Sequence, residues 1–137
     1  DPIPRILANI SSGEFDIGVE KWGFRNGKVV YKIDKNGTKR WYRNGDIHRD
    51  DGPAVERDDG TKEWYRNGKL HRDDGPAVII DGDKMWFRNG KLHREDGPAI
   101  IERDGKKEWY RNSTQFEPTD EEVARYEERI RRAEITE

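Results

Sequence analysis

The chain has 137 residues, enough for one ordinary domain, yet only 31% are hydrophobic and 41% are charged, which excludes a thick globular core and favours a thin or elongated structure. It contains no cysteine, so disulfide staples and thiolate metal sites are ruled out and a reducing, cytoplasmic setting is expected. The 27 Lys and Arg are interspersed with 29 Asp and Glu, leaving no net field to favour nucleic acid or a membrane surface.

Residues 1–21 read as an N-terminal cap, with Ile3, Ile6, Leu7, Ile10 and Phe15 available for burial. Residues 3–10 lack the basic start and long apolar segment of a signal peptide. The longest apolar run, residues 77–80, falls far short of the roughly 20 residues that span a bilayer, so a soluble protein is expected.

From residue 22 to residue 112 the chain repeats. Trp41, Trp64, Trp86 and Trp109 are separated by 23, 22 and 23 residues, and each is followed by an aromatic residue, Arg and Asn; an earlier degenerate copy reads Phe24-Arg25-Asn26-Gly27. Asn26-Gly27, Asn44-Gly45, Asn67-Gly68 and Asn89-Gly90 predict two-residue hairpins, because a type I′ turn needs two residues that tolerate positive φ. Such a turn fixes the register and sets Phe24 opposite Val29, Tyr42 opposite Ile47, Tyr65 opposite Leu70 and Phe87 opposite Leu92. This column is apolar throughout and is assigned to a buried spine. On the other face, Trp41 pairs with His48, Trp64 with His71 and Trp86 with His93.

Each of the last three of these hairpins is followed by a connector: HRDDGPA at residues 48–54 and 71–77, HREDGPA at 93–99. Its acids can cap turn N–H groups, its Gly allows unusual φ and its Pro resets the chain direction. A return strand then meets a second turn signal at Asp59-Gly60, Asp81-Gly82 or Asp104-Gly105. Stacked units of this kind predict a mainly β fold, an elongated antiparallel hairpin meander whose repeats touch mainly their neighbours.

At Asn112-Ser113 the pattern is expected to fail, since no histidine segment follows. Residues 113–137 read as a linker and a C-terminal helix: Thr119 is its N-cap, Glu122 closes a capping box, and Val123, Tyr126, Ile130 and Ala133 form one stripe. The helix is expected to cap the exposed end of the array.

The unit WYRNGKLH at a period of 22 to 23 residues resembles the membrane occupation and recognition nexus (MORN) repeat, and the whole unit ending in HRxDGPA more closely resembles a divergent form found in arrays of bacteriophages and giant viruses. The likeness covers about two thirds of the chain. It departs from the pattern where Arg-Asp or Arg-Glu follows the histidine in place of the usual glycines. What it implies is a scaffold for protein contacts, sometimes for lipids, with no enzymatic activity or cofactor of its own.

All three histidines sit in the connectors. Equivalent positions two strands apart lie about 10 Å from each other, too far to share one zinc, and a His-Asp dyad without Ser, Cys or Lys beside it has no nucleophile. The reading weighed against catalysis is a histidine packed on its cross-strand Trp and hydrogen-bonded to the Asp-rich turn. The RDDG and DGD fragments lack the ligand series of a calcium loop. An aromatic-basic surface suits single-stranded nucleic acid, but cross-strand charge pairing explains the same pattern. The expectation is therefore a non-catalytic module binding another protein, a host factor if the chain is viral, with no membrane partner; edge-to-edge homodimers are left open. The alternatives from other classes are a metal- or His/Asp-dependent hydrolase and a nucleic-acid- or lipid-binding repeat. Candidate contact residues are Trp41, Arg43, Trp64, Arg66, Trp86, Arg88 and Trp109, since Trp and Arg dominate interface hot spots.

Overall fold

The computed structural model describes residues 3, 4 and 11–136. It is mainly β with one C-terminal helix. Four strands open the array: β1 (Gly13–Ile17), β2 (Glu20–Arg25), β3 (Lys28–Ile33) and β4 (Lys39–Arg43). Short strands follow: β5 (Asp46–Ile47), β6 (Val55–Glu56), β7 (Lys62–Glu63), β8 (Tyr65–Arg66), β9 (Lys69–Leu70), β10 (Val78–Ile80) and β11 (Asp83–Met85). The rest are β12 (Phe87–Arg88), β13 (Lys91–Leu92), β14 (Ile100–Ile101), β15 (Lys107–Glu108), β16 (Tyr110–Arg111) and β17 (Thr114–Gln115), and α1 (Asp120–Thr136) closes the chain.

One antiparallel sheet runs β1-β2-β3-β4-β6-β7-β10-β11-β14-β15. The first Asn-Gly hairpin, β2-β3, is part of this sheet, and the later hairpins branch from it: β5 pairs with β4, and β8-β9, β12-β13 and β16-β17 are separate two-stranded ladders. Their register is the expected one, with Phe24 opposite Val29, Tyr42 opposite Ile47, Tyr65 opposite Leu70 and Phe87 opposite Leu92. Both residues of each turn have positive φ, as at Asn67 (50°) and Gly68 (79°). Asn112 (47°) and Ser113 (68°) adopt the same conformation and join β16 to β17, so the hairpin expected to fail after Trp109 forms with serine in the place of glycine.

The Asp-Gly turns divide into two kinds. Asp81-Gly82 repeats the two-residue turn, with φ of 46° and 88°. At Asp59-Gly60 and Asp104-Gly105 only the glycine is left-handed. There the glycine N–H donates to the Arg57 or Glu102 carbonyl and the aspartate accepts the N–H of Thr61 or Lys106, which gives a wider turn ending in a glycine bulge.

The buried spine differs from expectation. Only in the first hairpin is the aromatic of the apolar column buried, where Trp22 and Phe24 pack with Phe15, Ile17 and Val29. Tyr42, Ile47, Tyr65, Leu70, Phe87 and Leu92 are half-buried, because two-residue ladders standing off the main sheet have little to cover them. Beyond the first hairpin, burial falls on the connectors and the strand starts after them: Ala54, Ala77 and Ala99 are 0% exposed, His48, His71 and His93 are 4–7% exposed, and Val55 and Val78 are also buried. Alanine suits this place because its backbone continues the main sheet. The N–H groups of Trp41, Trp64 and Trp86 donate to the carbonyls of Ala54, Ala77 and Ala99, and a larger side chain would be forced into the packed layer.

Of the residues expected to cap the N-terminal end, Ile6, Leu7 and Ile10 lie outside the described residues, Ile3 is exposed and Phe15 joins the cluster on Trp22. At the other end the capping box is complete. The Glu122 N–H donates to Thr119 Oγ1 at 3.1 Å, and the Thr119 N–H donates to Glu122 Oε1 at 2.9 Å. Tyr126 is buried and Val123 half-buried, but Ile130 and Ala133 are exposed, so the apolar stripe meets the array only over the first half of the helix.

Candidate protein-docking clefts

Each connector is fixed from within. Arg72 sends Nε to Asp74 (2.9 Å) and Nη1 to the Pro76 carbonyl (3.0 Å), while its guanidinium lies 4.0 Å from the Trp64 ring centroid. Arg49 does the same over Trp41 and Arg94 over Trp86, at 4.4 and 4.0 Å. The flat, permanently charged guanidinium can stack on an aromatic face while its edge forms hydrogen bonds, which a lysine cannot do.

Each connector is also fixed to the hairpin that follows it. The N–H groups of Asn67, Asn89 and Asn112 donate to Nδ1 of His48, His71 and His93 at 2.9, 3.0 and 3.0 Å. The next turn residue, Gly68, Gly90 or Ser113, donates to the carbonyl of Ile47, Leu70 or Leu92. The second imidazole nitrogen, Nε2, lies 2.7–2.8 Å from a carboxylate of Asp50, Asp73 or Glu95. A backbone N–H can only donate, so Nδ1 is the acceptor and Nε2 carries the proton given to the carboxylate. Both ring nitrogens are thus occupied by partners in the chain, and neither is presented to a substrate. Each histidine also sits across the strand pair from its Trp, His71 N–H donating to the Trp64 carbonyl at 3.0 Å. The bond to the acidic turn is the one expected from the sequence, but the side chain stacked on each Trp is the connector arginine, and the lock to the next repeat is one the sequence did not reveal.

The carboxylates respond to these bonds. The hydrogen bond from His48 holds Asp50 below its ordinary pKa, and that from His93 does the same for Glu95. For Asp73 the bond from Arg66 is the larger cause and that from His71 the second. Among the described residues no group of three or more His, Asp or Glu is arranged to hold a metal ion, and no helix is long and apolar enough to cross a membrane.

Between successive connectors the surface opens into clefts. One of about 630 Å³ lies between residues 49–53 and 71–74 and includes Trp64 and Arg66. The next, about 590 Å³, lies between residues 72–76 and 93–96 and includes Trp86 and Arg88. Trp41 and Arg43 line an equivalent opening of about 650 Å³ beside Asp50 and Asp51. Six of the seven residues singled out in the sequence therefore fall in open clefts at the repeat period. Trp109 does not stay accessible: it is 8% exposed, covered by Phe116 and by Tyr126 of α1. The cleft residues missed in the sequence are the connector arginines Arg49, Arg72 and Arg94. Their signal was present, an arginine directly after every histidine.

Comparison with protein families, with curated proteins and with solved structures finds no match to this chain.

Proposed function

We propose that the chain is a non-catalytic repeat scaffold that binds another protein through its connector clefts. The observation that carries this reading is the recurrence of one surface, a half-buried Trp beside an exposed Arg and paired acids, at three successive steps of a rigid array. Trp and Arg are the residues that contribute most to protein interfaces, and an array of like units offers a long face with little conformational entropy to lose. The occupied imidazoles leave no free base beside the acids, which supports binding over hydrolysis. The likeness of the repeats to those of bacteriophage and giant-virus proteins supports a narrower version, a virus-encoded factor that covers a host protein, such as a defence enzyme.

The test is capture of a partner from host lysate, identification by mass spectrometry, and titration with purified protein. Trp64→Ala with Arg66→Ala is expected to weaken binding by about 2 kcal/mol or more, with the circular dichroism spectrum unchanged. Unchanged affinity in a folded variant overturns the reading. So does a stoichiometric bound metal, or an activity lost in the His71→Ala, His93→Ala double variant.

A further inference from the structure

The C-terminal helix shows what such a cleft accepts. The last cleft of the series, at residues 95 and 96 beside Trp109, is narrowed to about 180 Å³ because α1 lies in it. Three side chains of α1 make the contact. Tyr126 stands edge-on to Trp109 (6.0 Å between centroids), with the Arg94 guanidinium 5.4 Å from its own ring centre. Arg129 Nε lies 3.9 Å from Asp96 Oδ2, and Glu122 accepts a 2.8 Å bond from Arg111 Nη2. Gly97 makes room for the Arg94 guanidinium and for the tyrosine ring together, since a Cβ there would sit 2.8 Å from Arg94 Cζ and 2.9 Å from Tyr126 Cδ1.

Each group that receives α1 has a counterpart in the two open clefts at Trp64 and Trp86. Arg94 corresponds to Arg49 and Arg72, and Gly97 to Gly52 and Gly75. Asp96, which receives Arg129, corresponds to Asp51 and Asp74, whose side chains are 86% and 85% exposed. We infer that the two inner clefts are docking slots for a partner helix with the α1 pattern: a glutamate, a tyrosine four residues later and an arginine three residues beyond that. The inference rests on the scaffold reading and names its partner's chemistry. The partner's tyrosine enters over Arg49 or Arg72 beside the glycine, and its arginine reaches the exposed aspartate. Its glutamate adds less than Glu122 does at the end of the array, because Arg66 is already bonded to Asp73 at 2.8 Å, whereas the position equivalent to Asp73 after Trp109 is Pro118. A second copy of the chain is not the occupant, because the three signature residues of its α1 are engaged in its own last cleft.

The probe is a fluorescein-labelled, helix-stapled peptide with the sequence of residues 118–136, titrated into the full chain. Saturable binding is expected, with amide and indole shifts at Trp64 and Trp86. Tyr126→Ala in the peptide is expected to weaken it by about tenfold, the scale of one lost edge-to-face and one lost cation–π contact. Asp51→Lys with Asp74→Lys in the protein is expected to abolish binding, and a peptide carrying Arg129→Glu to restore it; a purely structural role for the aspartates gives no such rescue. Asp51→Asn with Asp74→Asn provides a milder pair should the reversed one fail to fold, and is expected to weaken binding. No saturation, shifts confined to Trp109, binding that ignores both aspartate pairs, or self-association of the chain in place of peptide binding overturns the inference. If the peptide fails while Trp64→Ala with Arg66→Ala still releases a captured protein, the scaffold reading stands and this one falls.

Discussion

The first four strands and the connector-bearing repeats solve the same problem in different ways. Strands β1 to β4 are five or six residues long, follow one another directly, and bury Trp22 and Phe24 under Phe15, Ile17 and Val29. The later strands are only two or three residues long, too short for their ladders to be stable alone. They are held by the buried histidine, whose two nitrogens tie a connector to its own acid and to the next hairpin. The boundary between the two regimes is visible in single residues. Val30 stands where the first histidine would be, and Tyr31, packed 5.1 Å from Trp41, stands in place of the stacking arginine. At the very start the lock reappears in another form: the Gly27 N–H donates to the Ser11 carbonyl and the Asn26 N–H to Ser12 Oγ, so Ser11-Ser12 does there what Leu70-His71 does later. Hydrogen bonds directed at turn N–H groups can thus replace apolar burial in a chain with few apolar residues.

The largest expected effect separates the two regimes. Trp22→Ala removes the centre of the apolar cluster of the first strands and is expected to cost about 3–5 kcal/mol. Hydrogen exchange should then accelerate in β1–β3 while the amides of residues 78–101 keep their protection, as nearest-neighbour stability requires. Uniform loss of protection along the chain would dissolve the distinction. Next comes His71→Ala, which leaves a buried connector without both of its bonds and is expected to cost about 2–3 kcal/mol in urea titration. Val30→Ala, at the equivalent position without a lock, should cost roughly 1 kcal/mol.

A smaller effect is tied to pH. Asp50, Asp73 and Glu95 have folded pKa values below their ordinary 3.8, 3.8 and 4.5. The unfolded chain therefore takes up protons that the folded chain refuses, and the stability these groups contribute is complete above the ordinary values and lost as pH falls through the lowered ones. The carboxylates are exposed, so the loss is modest. Thermal melts of Asp50→Asn, Asp73→Asn, Glu95→Gln should change less with acid below about pH 4.5 than those of the parent; an equal change would separate the locks from acid sensitivity. The smallest effect is a gain. Ser113→Gly removes a side chain from a residue at φ 68° and is expected to stabilise the last hairpin by less than about 1 kcal/mol, visible as a small rise in melting temperature.

Much of the ribbon was legible because its signals are local. Two consecutive positive φ values call for Asn-Gly, and that turn fixed the cross-strand pairs next to it in each hairpin; farther out in β2–β3 a bulge between Gly23 and Phe24 shifts the register and sets Gly23 opposite Tyr31. Thr119 and Glu122 announced the helix start for the same reason. What the sequence hid involves groups that it does not encode by side-chain type. The Nδ1 partner of each histidine is a backbone N–H some 18 or 19 residues away, and no pattern of letters marks it. Burial misled as well: Tyr65 and Leu70 look like core and are half-buried, whereas Ala77 and His71 lie inside, because connectors rather than hairpins are sandwiched between neighbours. The turn at Asn112-Ser113 was missed since serine rarely takes positive φ; the bond from its N–H to the Leu92 carbonyl holds it there.

The lock itself is read most directly from the nitrogen-15 shifts and long-range proton couplings of the three imidazoles in mildly alkaline buffer. The structure predicts that His48, His71 and His93 all carry their proton on Nε2 and leave Nδ1 as the acceptor of a turn N–H. A proton on Nδ1 in any of them, or tautomers in free exchange, would contradict it.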